Sequence, residues 1–363
     1  MTTIQRIRHI GFIQLQVTQG AIGTNLDRLQ QILAQLDPPR PSLIVLPELW
    51  ATGFAYQELA RLQGEVASLP NKLQELAKRY DILLAGSLPE RAIAKENLFY
   101  NTLQLIGRNG TFGSYRKRYI FPGEEEAFCP GSGACSPIAT PVGTFGCMIC
   151  YDLRFPDLAR SQCQQGADLL LSSAQWPLAR IQHWRALAIA RAIENQTFVV
   201  ACNGVGKNGE LTLGGHSLVV SPAGEILYEA GEDEAAKIVE IDWQQKMDAQ
   251  AGFKSFTVEP YPVSAEKIAA PEICVANAQQ RAGIGQRVVY VALDRNVAFS
   301  RAIEILETAR QRGDYLILGV PSSLSDLLKS YAALGCVDTV FDLGEISASA
   351  EQRLREICLS VTS

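Results

Sequence analysis

The sequence predicts a layered α/β protein made of a large unit followed by a smaller one. Three observations lead there. At 363 residues the chain is longer than one average domain. Short apolar runs alternate with stretches of helical spacing, which is how strands and helices of a layered α/β fold read in sequence. Hydrophobic residues make up 47% and charged residues 20% of the chain, so a sizeable core can be buried without disulfides.

Taken in order, IGFIQLQV, SLIVLPELW, DILLAGSL and TLQLIGRN are short apolar runs bounded by turn residues and predict strands. Between them, NLDRLQQILAQL and LPNKLQELAKRY carry apolar residues at helical spacing. TFGCMICYD and ADLLLSSAQWP continue the strands, with PDLARSQCQQG as the helix between them. IQHWRALAIARAIENQ reads as one helix and TFVVACNGVG as the strand after it. GGHSLVVSPAGEILYEA predicts two strands about the turn Ser221-Pro222-Ala223-Gly224. From about Gln244 to Arg287 no period is clear, and the stretch reads as tail and linker. The expected division is 1–260, a linker at 261–285, and 286–363. In the last part RVVYVALD, DYLILGVPS and DTVFDL read as strands and AFSRAIEILETARQRG as a helix.

The net charge of -5, with no block of like charges, argues against a nucleic-acid-binding face. No run of about 18 apolar residues predicts a membrane span. MTTIQRIRHIGFIQLQV is too polar for a secretory signal, so the nine cysteines are expected to be reduced thiols in a cytoplasmic setting.

Cys150 is the leading candidate for a nucleophile. It closes the apolar run FGCMIC and is followed at once by polar YDLRFP, and a strand end before a helix start is where α/β proteins present reactive groups. The backbone N–H of Tyr151 would then face a developing oxyanion. Alone, Cys150 reads equally well as a buried cysteine packing as a small hydrophobe. Cys147 completes a CxxC pattern, but a redox pair normally opens a helix, and a zinc site needs further ligands. Only His9, His183 and His216 exist, each on its own, so Cys147 is assigned to the core and no metal is expected.

Glu48 follows the strand SLIVLP and stands at a strand exit, as Cys150 does. A carboxylate there is solvated, paired or put to use as a base, and its competing reading is a helix cap. Arg116, Lys117 and Arg118 form either a solvated basic edge or, given Tyr115, Tyr119 and Phe121, a stretch with one buried cation. A lysine held there would stabilise a thiolate and then an oxyanion. Glu124, Glu125 and Glu126 follow in the same loop.

In this order, LPELWATGF, YRKRYIF…EEEAFCPG and CYDLRFP resemble the signature of the nitrilase superfamily of carbon–nitrogen hydrolases. SAQWP, ARAIENQ, CNGVG and GHSLVVSPAGEI extend the likeness over residues 8–243. The resemblance implies a four-layer αββα sandwich, with Glu48, Lys117 and Cys150 as catalytic triad and the Tyr151 N–H in the oxyanion hole. It implies a second glutamate after the lysine, assigned to Glu124 with Glu126 as the competing choice. No cofactor and no metal are implied, and a homo-oligomer is expected. Within the family the chain looks closest to ω-amidase-like members, which hydrolyse small 2-oxo acid monoamides. Arg154 is then the candidate cation for the substrate's anionic end, against a structural salt bridge, and Trp176 the candidate pocket wall, against plain core.

The C-terminal part resembles the cytidylyltransferase-like nucleotidyltransferases and implies a Rossmann-like unit. The position of their HxGH motif holds Phe299-Ser300-Arg301-Ala302, without the histidines or the glycine, so an inactive domain is expected. The alternatives to an amidase are a non-catalytic protein and a bifunctional one, each with a nucleotide bound by this C-terminal domain.

Overall fold

The computed structural model describes residues 6–92, 95, 98–133, 135–208, 211–252 and 255–257, and three strands at 288–292, 315–320 and 339–342. The chain divides into two units, Met1–Val258 and Glu259–Ser363.

The first unit begins with β1 (His9–Gln14), α1 (Ile22–Leu36), β2 (Ser42–Val45), α2 (Leu59–Tyr80), β3 (Ile82–Arg91), β4 (Phe99–Gly107) and β5 (Gly110–Arg116). It continues with β6 (Ile138–Thr140), β7 (Gly143–Ile149), α3 (Pro156–Gln164), β8 (Leu169–Ala174), α4 (Ile181–Asn195) and β9 (Phe198–Asn203). A hairpin of β10 (Val205–Asn208) and β11 (Leu211–Gly214) follows, then β12 (Leu218–Val220), β13 (Ile226–Glu229), β14 (Ala235–Glu240) and α5 (Trp243–Ala251). Two six-stranded sheets result, ordered β14-β1-β2-β3-β4-β5 and β13-β12-β9-β8-β7-β6. In each the three central strands run parallel and the outer ones antiparallel.

Side-chain alternation along the strands separates three apolar layers. Ile10, Phe12, Val45 and Leu103 of the first sheet meet Phe145, Cys147, Leu169 and Val200 of the second, which joins the sheets face to face. The opposite face of the first sheet, with Ile44 and Leu84, packs on Leu29 and Leu33 of α1 and on Leu62, Leu69 and Leu73 of α2. The outer face of the second, with Met148, Leu170 and Val199, packs on Cys163 of α3 and on Trp184 and Ala188 of α4. The first unit is therefore layered helix, sheet, sheet, helix.

Some elements depart from the sequence expectation. The second helix was expected to open near Pro70, yet α2 begins at Leu59 and runs through that proline. Its stripe of buried leucines on both sides of Pro70 offsets the one lost backbone hydrogen bond. Residues 244–251, expected to be unstructured tail, complete α5, started by an Asp242 side chain that accepts from Gln244 N. Strand β14 was not foreseen and β5 was not separated from the basic run, because both are half-exposed edge strands without a strong apolar run.

At one rim the chain leaves β2, β7 and β8 at their C-terminal ends. There Glu48 N donates to Ala174 O at 3.2 Å and Ser173 Oγ donates to Leu46 O at 2.7 Å, tying the two sheets together. The second unit contains β15 (Val288–Ala292), β16 (Tyr315–Val320) and β17 (Thr339–Asp342), a parallel sheet in that order. These are the three strands expected there. The expected helix at 298–313, the Phe299–Ala302 stretch and the linker 261–285 lie outside the described residues. Among the described residues no helix is long and apolar enough to cross a membrane.

Candidate active site

Cys150 ends β7 at a sharp corner. Its φ is 48°, a left-handed conformation that costs a non-glycine residue energy, and the chain turns at once into a 3₁₀ turn over Cys150–Arg154. Lys117 follows β5, where its N–H donates to Asn101 O at 2.8 Å and its carbonyl accepts from Gly131 N at 2.8 Å. Glu48 stands just past β2, and its side chain is fully buried.

The three meet. Lys117 Nζ lies 2.8 Å from Glu48 Oε1 and 2.9 Å from Glu124 Oε2, and Cys150 lines the same cavity as Glu48 and Glu124, close enough for their charges to act on its thiol. Of the three basic residues in sequence only Lys117 is buried; Arg116 pairs at the surface with Glu90, and Arg118 caps Gly131 O. Of the glutamates in that loop, Glu124 turns inward and Glu125 and Glu126 are exposed.

Several residues that the sequence did not single out fix this arrangement. Asn101 Nδ2 donates to Glu48 Oε1 at 2.8 Å, and Gln175 N donates to Glu48 Oε2 at 3.2 Å. Tyr56 OH donates to Glu124 Oε1 at 3.1 Å. Nothing in the local pattern marks Asn101, Gln175 or Tyr56, since each acts from a different strand or loop. Asp152 offered a signal only by its place, two residues past the cysteine and between Tyr151 and Leu153. It is wholly buried and accepts from Ile149 N at 3.0 Å, Tyr119 N at 2.9 Å, Arg118 N at 3.2 Å and Tyr115 OH at 2.8 Å. One carboxylate thus clamps the lysine loop to the cysteine corner.

The electrostatics follow from burial. Desolvation alone would lower the Lys117 pKa, but Glu48 and Glu124 together hold it above its ordinary value, so the ammonium stays charged. Burial, then the Glu48 charge, pushes the Cys150 thiol well above its ordinary value, against the pull of Lys117. These influences favour the protonated form of the Cys150 thiol, beside Glu48. Burial raises Glu124 too. Cys147 is core between the sheets, as expected, and burial pushes its thiol up. His183 is exposed and approaches Arg154, while His216 pairs with Glu229, so neither serves Cys150. Among the described residues no group of His, Cys, Asp and Glu has the makings of a metal site.

Burial also raises the Asp152 carboxyl to about 6, in spite of its four hydrogen bonds. With an unfolded value near 3.9, the unfolded chain releases this proton first as pH rises. The stability that Asp152 contributes is complete below about pH 4 and is lost as pH passes about 6, a change of about 3 kcal/mol. Urea unfolding of wild type and Asp152→Asn at about pH 4 and pH 7 should show the wild type's relative stability falling by that order. A pH-independent difference would contradict it.

A cavity of about 240 Å³ opens onto these groups, with Glu48, Glu124, Cys150, Tyr151, Arg154 and Trp176 among its walls. Arg154 makes no salt bridge among the described residues; its guanidinium lies 4.8 Å from the Trp176 ring centre and 3.4 Å from His183 Nδ1. Trp176 is both wall and core, 2% exposed, with its indole N–H on Arg180 O at 2.9 Å.

Residues 9–247 match the carbon–nitrogen hydrolase family. The chain belongs to that family. This carbon–nitrogen hydrolase is 34% identical to the 2-oxoglutaramate amidase of Bacillus subtilis, over 68% of this chain and 95% of that protein. It is 34% identical to the omega-amidase YafV of Escherichia coli, over 60% of this chain and 88% of the relative. Among solved structures, the C. elegans NitFhit protein superposes with a TM-score of 0.64 at 26% identity, covering 70% of this chain and 65% of that one. A mutant amidase from Nesterenkonia sp. AN1, with the acetamide moiety of fluoroacetamide on its active-site cysteine, shares the fold: TM-score 0.60, 24% identity, 67% and 93% covered. With such relatives, the chain is an amidase of the nitrilase superfamily.

Proposed function

We propose that this amidase is ω-amidase-like, hydrolysing small monoamides of 2-oxo dicarboxylic acids through a thioester on Cys150. The observation that supports the reading is the buried cluster of Glu48, Lys117 and Glu124 around the thiol at the floor of a small cavity. The cavity, about 240 Å³, has room for an acyl chain of a few carbons.

In this reading Glu48 takes the Cys150 proton as sulfur attacks the amide carbon. The protonated resting thiol makes such a base necessary. Lys117 and the Tyr151 N–H stabilise the oxyanion of the tetrahedral intermediate. Glu48 then passes its proton to the leaving nitrogen and ammonia departs, leaving the thioester. Water, deprotonated by Glu48, attacks the thioester carbon, and sulfur leaves as the thiol. Glu124, with Tyr56 behind it, keeps Lys117 on the cluster. Arg154 faces the anionic end of the substrate, and Trp176 forms the wall beneath it.

The C-terminal part is read as a cytidylyltransferase-like unit without transferase activity, over 286–363. The absent HxGH pattern and the three parallel strands support that reading.

An ammonia-release screen tests the proposal. Over a panel of 2-oxo acid monoamides, simple dicarboxylic monoamides, neutral aliphatic amides and carbamoyl amines, kcat/KM should peak on the carboxylate-bearing monoamides of four or five carbons. Preference for the carbamoyl amines would overturn the ω-amidase reading, and silence over the whole panel would remove the substrate class altogether.

A further inference from the structure

The cavity is electrically lopsided. At its floor two carboxylates share one ammonium. Its walls also carry two guanidiniums, Arg154 and Arg180. Among the described residues neither is paired with a carboxylate. Arg154 lies over the Trp176 ring at 4.8 Å, and Arg180 over the Phe121 ring at 5.7 Å. A ring face holds a guanidinium in place without using its N–H groups, which remain for a ligand. Trp176 joins the two, since its face carries Arg154 and its N–H holds the Arg180 carbonyl. Helix α4 starts directly after Arg180, with no acidic residue in its first turn and no side chain capping it, so its positive end adds to the same field.

We propose that Arg180 is a second, specificity-determining cation: with Arg154 it holds the carboxylate end of the substrate, while the amide end lies on Cys150. This rests on the amidase reading and extends it by assigning Arg180 and the substrate's orientation. Reversed binding would set the substrate's carboxylate against Glu48 and Glu124, and like charges at that range repel strongly where water is excluded. The guanidinium pair therefore sorts substrates by the charge of the end remote from the bond that breaks.

The test compares the monoamide of a five-carbon dicarboxylic acid with a neutral amide of similar length, in wild type, Arg180→Gln and Arg180→Lys. The ratio of kcat/KM, anionic over neutral, should fall about tenfold in Arg180→Gln, the size of one charge-assisted hydrogen bond, and mainly through KM. Arg180→Lys should retain most of it. A merely structural arginine would lower both amides alike, and an unchanged ratio overturns the proposal. A wild type that prefers the neutral amide overturns it too, leaving the amidase reading intact. A readout free of turnover separates the two ideas: pentanoate, whose single carboxylate can reach the arginines while its methyl end lies on Cys150, should slow alkylation of Cys150 by iodoacetamide in wild type and about tenfold less effectively in Arg180→Gln. If neither amide yields ammonia, the ω-amidase reading fails and this protection still decides on the cation pair.

Discussion

Purified Cys150→Ala should release ammonia about 10⁴-fold or more slowly than the parent, from every amide the parent cleaves. The substitution removes one sulfur from a partly covered corner whose backbone is held by other contacts, above all those of Asp152. The fold should therefore persist, with an unchanged melting transition. Glu48→Gln should be almost as damaging, because the Glu48 charge acts on the thiol more strongly than that of Glu124, whose nearer partner is Lys117. Residues that act as one unit do not add, so the double variant should be little slower than either single one. Steady ammonia release from Cys150→Ala, measured by a coupled assay, would mean that the sulfur is not the nucleophile.

The second large effect is expected of Lys117→Met, and it falls on stability as well as rate. Lys117 is the cation between Glu48 and Glu124, and its side chain is fully buried. Without it, two carboxylates face each other away from water, and breaking such a buried arrangement costs about 3–5 kcal/mol. The pair would relieve the repulsion by keeping one proton, so the loss should shrink as pH falls and grow as pH rises. Urea unfolding at about pH 5 and pH 8 reads this directly. The rate should drop about 10²–10³-fold with the loss of an oxyanion donor. Adding Glu124→Gln should restore much of the stability, because only one carboxylate is then left without a partner. It should not restore the rate. Recovery of both would make Lys117 a scaffold residue without a part in the chemistry.

Much of this was legible in the chain itself. The apolar runs of β1, β2, β3, β7, β8 and β9 are nearly continuous, as buried parallel strands must be, and their exits named Glu48 and Cys150 before any coordinates. Lys117 was harder to isolate, since flanking arginines of the same charge differ from it only in burial. The groups that hold the cluster together were not readable. Asn101, Gln175 and Tyr56 lie 53, 127 and 68 positions from their partners, and no local period records such a pairing. Helix α2 hid its first half because proline is a boundary signal, and only the leucine stripe packed on the sheet overrides it. Asp152 was not singled out, because its donors Tyr115, Arg118 and Tyr119 lie 37, 34 and 33 positions away and meet it only in the folded chain.

The hydrogen bonds that stitch Leu46 to Ser173 and Glu48 to Ala174 lie on the seam between the sheets. In the proposed mechanism acid and ammonium come from one sheet and sulfur from the other, so neither half of the sandwich owns the chemistry. Turnover is in effect a gauge of how the halves dock, and a small slip along that seam would silence the enzyme while every strand kept its partners.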